Sequence, residues 1–112
     1  MSIRWRLIFR VTVKGSSMVP TLEGGDRLLC IAMPRRFVLT KGAIVVAKDP
    51  RDSRNLLVKR IGAIVNGQKI SLIGDNEGVS IDSRHFGDVR DSSVEGRAIF
   101  IYSPTFFSLI KR

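Results

Sequence analysis

Cysteine is nearly missing from this chain: Cys30 is the only one among 112 residues. One thiol cannot close an intramolecular disulfide, and it cannot build a multi-thiolate metal site. Set in Leu28-Leu29-Cys30-Ile31, it reads as a buried core thiol, and a single thiol suits a reducing compartment. Histidine is equally scarce. Any serine–histidine–aspartate triad would have to use His85, the only one. Long apolar runs are also missing. No stretch reaches the roughly 18–20 apolar residues that span a bilayer. Arg4, Arg6 and Arg10 interrupt the N-terminus, which lacks the apolar centre of a signal peptide. No repeat or linker divides the sequence, and its length suits one domain over residues 1–112.

Acids are the minority charge. Ten Asp and Glu stand against 19 Lys and Arg, for a net charge of +9. That excess favours anionic partners. The cations are scattered rather than clustered, as on a solvated face, and the reading assigns no nucleic-acid partner. With 44% hydrophobic residues the chain is globular rather than disordered.

Helical period is absent, whereas period two is plain. Ile3, Trp5, Leu7, Phe9, Val11 and Val13 share one face, and Arg4, Arg6, Arg10, Thr12 and Lys14 share the other. Further strands are expected at Arg27 to Ala32, Ala43 to Ala47, Leu56 to Val65, Gln68 to Ile73 and Arg97 to Tyr102. Pro34-Arg35-Arg36 ends the second strand, Asp49 to Ser53 is loop by composition, and Asn66-Gly67 is a hairpin turn. Many short strands with Gly and Pro turns predict a mostly β fold, a small coiled barrel or sheet.

Three stretches can carry chemistry. Gly15-Ser16-Ser17-Met18-Val19-Pro20 is a hydroxyl-rich turn after a strand, and such a turn can present one hydroxyl beside backbone N–H groups. The same composition also suits an ordinary loop. In Leu56-Leu57-Val58-Lys59-Arg60-Ile61, alternation puts Lys59 on a face with Leu57 and Ile61. Burial there makes it a neutral base; exposure makes it an edge-strand lysine that discourages aggregation. Gly74 to Gly87 holds Ser80, which can orient an amine, and Asp82 with Arg84, which can pair and fix the loop; the same composition also suits a polar surface loop.

Together, in this order and spacing, the three stretches resemble the signal peptidase I family of serine peptidases. The resemblance covers about residues 11–102 and implies a Ser/Lys dyad with no metal and no cofactor. Ser17, before Met18, matches the nucleophile, Lys59 the general base, and Ser80 the serine that hydrogen-bonds that lysine. Gly15, Ser16, Asp82 and Arg84 are supporting positions. The implied partner is a precursor protein with an N-terminal leader peptide. Three departures stand out: no membrane span precedes the serine, the large β insertion of many members is absent, and Gly15 replaces an oxyanion-hole serine of some members. A short version of the fold resembles the nickel-type superoxide dismutase maturation proteases, as does Asp82-Ser83-Arg84-His85-Phe86-Gly87. The expectation is therefore a cytoplasmic leader-removing peptidase acting on that precursor. A weak membrane-surface contact would come from the apolar tail ending in Lys111-Arg112. The alternatives are a signal peptidase acting on exported preproteins and a LexA-type self-cleaving domain. The latter should bring a helix-turn-helix, which nothing here reads as.

Overall fold

The computed structural model describes residues 8–32, 39–102 and 107–110, with 107–109 described through their backbone alone. Among the described residues, eight strands form one antiparallel sheet. They are β1 (Ile8–Thr12), β2 (Arg27–Ala32), β3 (Ile44–Asp49), β4 (Asp52–Val65), β5 (Lys69–Ile73), β6 (Val89–Arg90), β7 (Val94–Tyr102) and β8 (Phe107–Leu109). Their order is β1-β2-β7-β3-β4-β5-β6, with β8 on β7. Register shifts interrupt four of the ladders, and such bulges bend and twist the strands. The sheet is mostly β as expected and open, with β1 and β6 at its edges; no pairing among the described residues closes it into a barrel.

Both faces of the sheet carry apolar packing. On one, Ile44 and Val46 meet Val13, Met18, Leu22, Leu28 and Cys30. On the other, Ala43, Val45 and Ala47 meet Ile61, Ile70, Leu72, Val89 and Val94. Covered on both sides, β3 needs a continuous apolar run rather than alternation, and Ala43 to Ala47 supplies it. In β1 the exposed Arg10 and Thr12 alternate with Phe9 and Val11, which pack against the core. Cys30 is fully buried, and burial pushes its thiol up to about 11, so it is inert.

The hairpin at Asn66-Gly67 forms with positive φ at both residues (44° and 81°), as its turn type requires. Residues 49–53 are not the expected loop. β3 runs to Asp49 and β4 starts at Asp52, so the hairpin is tight, with Asp49 accepting from the Arg51 N–H at 2.9 Å. A one-turn helix, α1 (Ser83–Phe86), also goes beyond the sequence expectation, as do β6 and β8. Strand residues 3–7, the break at 34–36, Phe106 and the basic end at 111–112 lie outside the described residues, as do the side chains of Phe107 and Leu109. Ile110, the rest of the apolar tail, packs against the core.

Candidate active site

The turn after β1 is pinned before and after Ser17. Val13 donates to the Asp26 carbonyl at 2.7 Å and accepts from Gly25 at 2.9 Å. Beyond the turn, Met18 and Leu22 are each 1% exposed and anchor it in the core. Gly15 has φ +74°, in the left-handed region that favours glycine. Ser16 points to solvent, whereas Ser17 is half-buried. The Ser17 backbone N–H donates to no described residue, leaving it available to an incoming carbonyl.

Lys59 lies opposite Val45 in the β3–β4 ladder and is only 4% exposed. Burial lowers its pKa from the ordinary lysine value. Asp82 works against that shift, Arg51 and Arg84 reinforce it, and Asp49 opposes it. Its Nζ donates to Ser80 Oγ at 2.9 Å. Ser80 has one hydroxyl proton and gives it to Asp82 Oδ2 at 2.6 Å, so its oxygen faces the lysine as an acceptor. A neutral amine that donates one N–H to Ser80 keeps its lone pair for another partner.

Asp82 is fully buried and fully partnered. It accepts from the Gly74 N–H at 2.8 Å, from Ser80, and from Arg84 through Nε at 3.0 Å and Nη2 at 2.6 Å. Burial alone would raise its pKa. The hydrogen bonds from Arg84, Ser80 and the Gly74 and Arg84 amides outweigh that and hold the carboxyl well below the usual carboxylate range. Arg84 also reaches the Gly74 carbonyl at 3.1 Å. The structure thus brings Lys59, Ser80, Asp82 and Arg84 into one chain of contacts. Ser17 and Lys59 line a common groove of about 530 Å³ with Val11, Val13 and Leu57, and no hydrogen bond joins the two. Ser16 and Gly15 lie at the exposed side of the turn.

Sequence reasoning missed the residues that bolt the serine turn down. Asn76 donates its N–H to the Ser17 carbonyl at 2.9 Å and its side-chain amide to the Ser16 carbonyl at 3.0 Å. Asp75 accepts from the Thr21 hydroxyl and takes a bidentate pair from Arg60 at 2.8 and 2.7 Å. Arg60 also donates to the Gly42 carbonyl at 2.7 Å. The Gly74-Asp75-Asn76 turn was the available signal, since short polar residues after glycine commonly cap a neighbouring loop. His85 caps α1: its Nδ1 accepts from the Asp82 N–H at 3.3 Å, and its side chain is 49% exposed. It is not part of the groove lining.

Residues 1–72, which include Ser17 and Lys59, match the family described as signal peptidase, peptidase S26. The chain belongs to that family. It is a serine peptidase by that membership, and the mostly β fold agrees. Over 129 aligned residues it is 31% identical to the mitochondrial ATP-independent inner membrane protease subunit 1a of Arabidopsis thaliana, covering 94% of this chain and 77% of that protein. It is 34% identical over 109 residues to the mitochondrial inner membrane protease subunit 1 of Xenopus tropicalis, covering 78% and 64%. The human subunit 1 is 30% identical over 111 residues, covering 80% and 66%. The chain therefore spans about two thirds of the length of these two vertebrate relatives.

These relatives overturn the expectation of a cytoplasmic enzyme, because they are proteases of an inner membrane. That expectation took a missing apolar span and a lone cysteine as signs of place. Among the described residues no helix is long and apolar enough to cross a membrane, and this fixes no compartment. The names of the relatives also favour the signal peptidase branch of the reading over superoxide dismutase maturation.

Proposed function

We propose that this chain is a Ser/Lys endopeptidase that removes N-terminal leaders from precursor proteins at a membrane, in the manner of a signal peptidase. The observation that carries this is the buried Lys59, which lines the same groove as Ser17 and whose Nζ donates to Ser80. In this reading the lone pair of neutral Lys59 takes the Ser17 Oγ proton as that oxygen attacks the scissile carbonyl. The Ser17 N–H steadies the oxyanion. The lysine ammonium then returns its proton to the leaving amine; a water, deprotonated by the same lysine, attacks the acyl-enzyme, and the lysine gives that proton to Ser17 Oγ as the acyl–oxygen bond breaks. Ser80, Asp82 and Arg84 orient the amine rather than react.

Because the relatives are inner membrane proteases, exported preproteins met at a membrane are the favoured substrates. The Asp82 to Gly87 run, with the short version of the fold, favours the narrower reading, the nickel-type superoxide dismutase precursor. The test is incubation of the purified chain with a leader-bearing preprotein and with that precursor, followed by N-terminal sequencing of the products. Cleavage of the preprotein at one bond, abolished in Ser17→Ala and largely kept in Ser16→Ala, is expected. Undiminished cleavage by Ser17→Ala refutes the mechanism. Cleavage of the dismutase precursor alone reverses the choice of substrate.

A further inference from the structure

We propose that Arg51 is a positioning residue for Lys59: the β3–β4 hairpin closes as a clasp on helix α1 and thereby holds Ser80 and Asp82 against the lysine. The proposal rests on the Ser/Lys reading above. It begins with a carboxylate that the proposed chemistry leaves unused. The Asp49 side chain is only 7% exposed at the hairpin, and Arg51 engages it three times: through its N–H at 2.9 Å, Nε at 3.0 Å and Nη2 at 2.8 Å. Fixed by that pair, the Arg51 guanidinium lies over the Phe86 ring, 5.5 Å from its centroid. A cation over an aromatic face is attracted by the ring quadrupole.

Phe86 ends α1, and Asp82 caps its start. A helix of four residues has too few internal hydrogen bonds to hold itself in place. Its cap is tied down by Arg84 and the Gly74 N–H, and its far end by Phe86, packed on the second core cluster and beneath Arg51. Arg51 immediately precedes β4, the strand that also carries Lys59. The contacts therefore close a ring: Lys59 to Ser80, Ser80 to Asp82, along α1 to Phe86, across to Arg51, and back along β4. Opening the ring at Arg51 frees α1 to tilt about its cap.

The clasp also brings charge to the lysine. The charges acting on Lys59 are Asp82 and Arg84 from the turn and Arg51 and Asp49 from the hairpin. Within the hairpin pair, Arg51 disfavours the ammonium and Asp49 favours it. A purely structural brace would disturb neither. Replacing one member of the pair at a time therefore moves the lysine in opposite directions.

The experiment is the pH profile of kcat for cleavage of a leader peptide by the purified chain. The variants are Arg51→Gln, Arg51→Lys, Asp49→Asn and Phe86→Leu, with thermal melts to confirm folding. Arg51→Gln and Phe86→Leu should lower kcat about tenfold, roughly 1.4 kcal/mol of barrier, with KM within about twofold. The acid limb should move to higher pH in Arg51→Gln and to lower pH in Asp49→Asn. Arg51→Lys keeps the charge but loses the fork and the flat stack, so the limb should stay in place while kcat falls. An Arg51→Gln enzyme that is folded, has kcat within twofold of the parent and an unmoved acid limb overturns the proposal. Lys59→Arg is assayed alongside. If it is inactive while Arg51→Gln is unchanged, only the clasp is lost; if it is active, the Ser/Lys reading itself fails.

Discussion

Adding one methyl group at Gly74 should disable the enzyme without replacing a proposed reacting residue. A Cβ built there lies 2.5 Å from Ser80 Cβ, closer still to Ser80 Oγ, and 2.7 Å from the Ser17 carbonyl oxygen. Ordinary contact starts at 3.4 Å. Widening 2.5 Å to 3.4 Å moves Ser80 by about 0.9 Å, and widening 2.7 Å to 3.4 Å moves the Ser17 carbonyl by about 0.7 Å. The Lys59–Ser80 hydrogen bond has no such slack: at 2.9 Å it is near ideal, and lengthening by that much takes it past the range of a real bond. Overpacking of this kind costs about 1–3 kcal/mol, or roughly 4–12 °C in Tm for a chain of this length. A displacement near 1 Å at a reacting centre costs about 100-fold in rate. The assay is kcat/KM on a leader peptide beside a thermal melt of Gly74→Ala. Gly78→Ala is the control, because its Cβ meets nothing within 4 Å. A Gly74→Ala enzyme with kcat/KM within threefold of the parent and an unchanged Tm refutes the close approach of the two loops.

Ser80→Ala removes the acceptor for Lys59 Nζ and one donor to Asp82, and kcat should fall about 10–100-fold, in line with 1.5–3 kcal/mol for a hydrogen bond to a charged group; unchanged kinetics would contradict the orienting role. Lys59→Met should be inactive yet more stable than the parent at neutral pH. The folded pKa of Lys59 lies below its unfolded value of about 10.4, so the unfolded chain binds more protons between the two and parent stability rises with pH in that window. Urea melts from pH 7 to 10 should show that rise in the parent and its loss in Lys59→Met. His85→Ala should still cleave, with a small loss of stability from the cap of α1; a loss of several orders of magnitude in turnover with the fold intact would restore the triad reading.

Local pattern revealed much of this arrangement. The alternation put Lys59 on one face with Leu57 and Ile61 and left its burial open, which the structure settles at 4% exposure; the doubly covered β3 was visible as an unbroken apolar run. Ser80, Asp82 and Arg84 are close in sequence, so the contact between acid and arginine was readable from their spacing. Distance along the chain hid the rest. Thr21 and Asp75 are 54 residues apart, and Ser16 and Asn76 are 60 apart, and no short-range pattern records such a meeting. The 49–53 segment misled for another reason. Asp, Pro and Ser are loop formers by composition, yet here the Asp49–Arg51 pair ties a two-residue turn between two long strands. Location was misread because neither a missing span nor a single thiol is an address.

The Gly74–Asn76 turn ties the segment bearing Ser17 to the segment bearing Ser80. Asn76 holds the carbonyls of Ser16 and Ser17, the Gly74 N–H and carbonyl hold Asp82 and Arg84, and the Ser80 N–H donates to the Asn76 carbonyl at 2.9 Å. Among the described residues, this turn is the one place where the two loops hold each other directly, although each is also pinned elsewhere, by Val13 and Met18 on one side and by Phe86 on the other. Opening at this turn therefore loosens the proposed nucleophile and the lysine's support together.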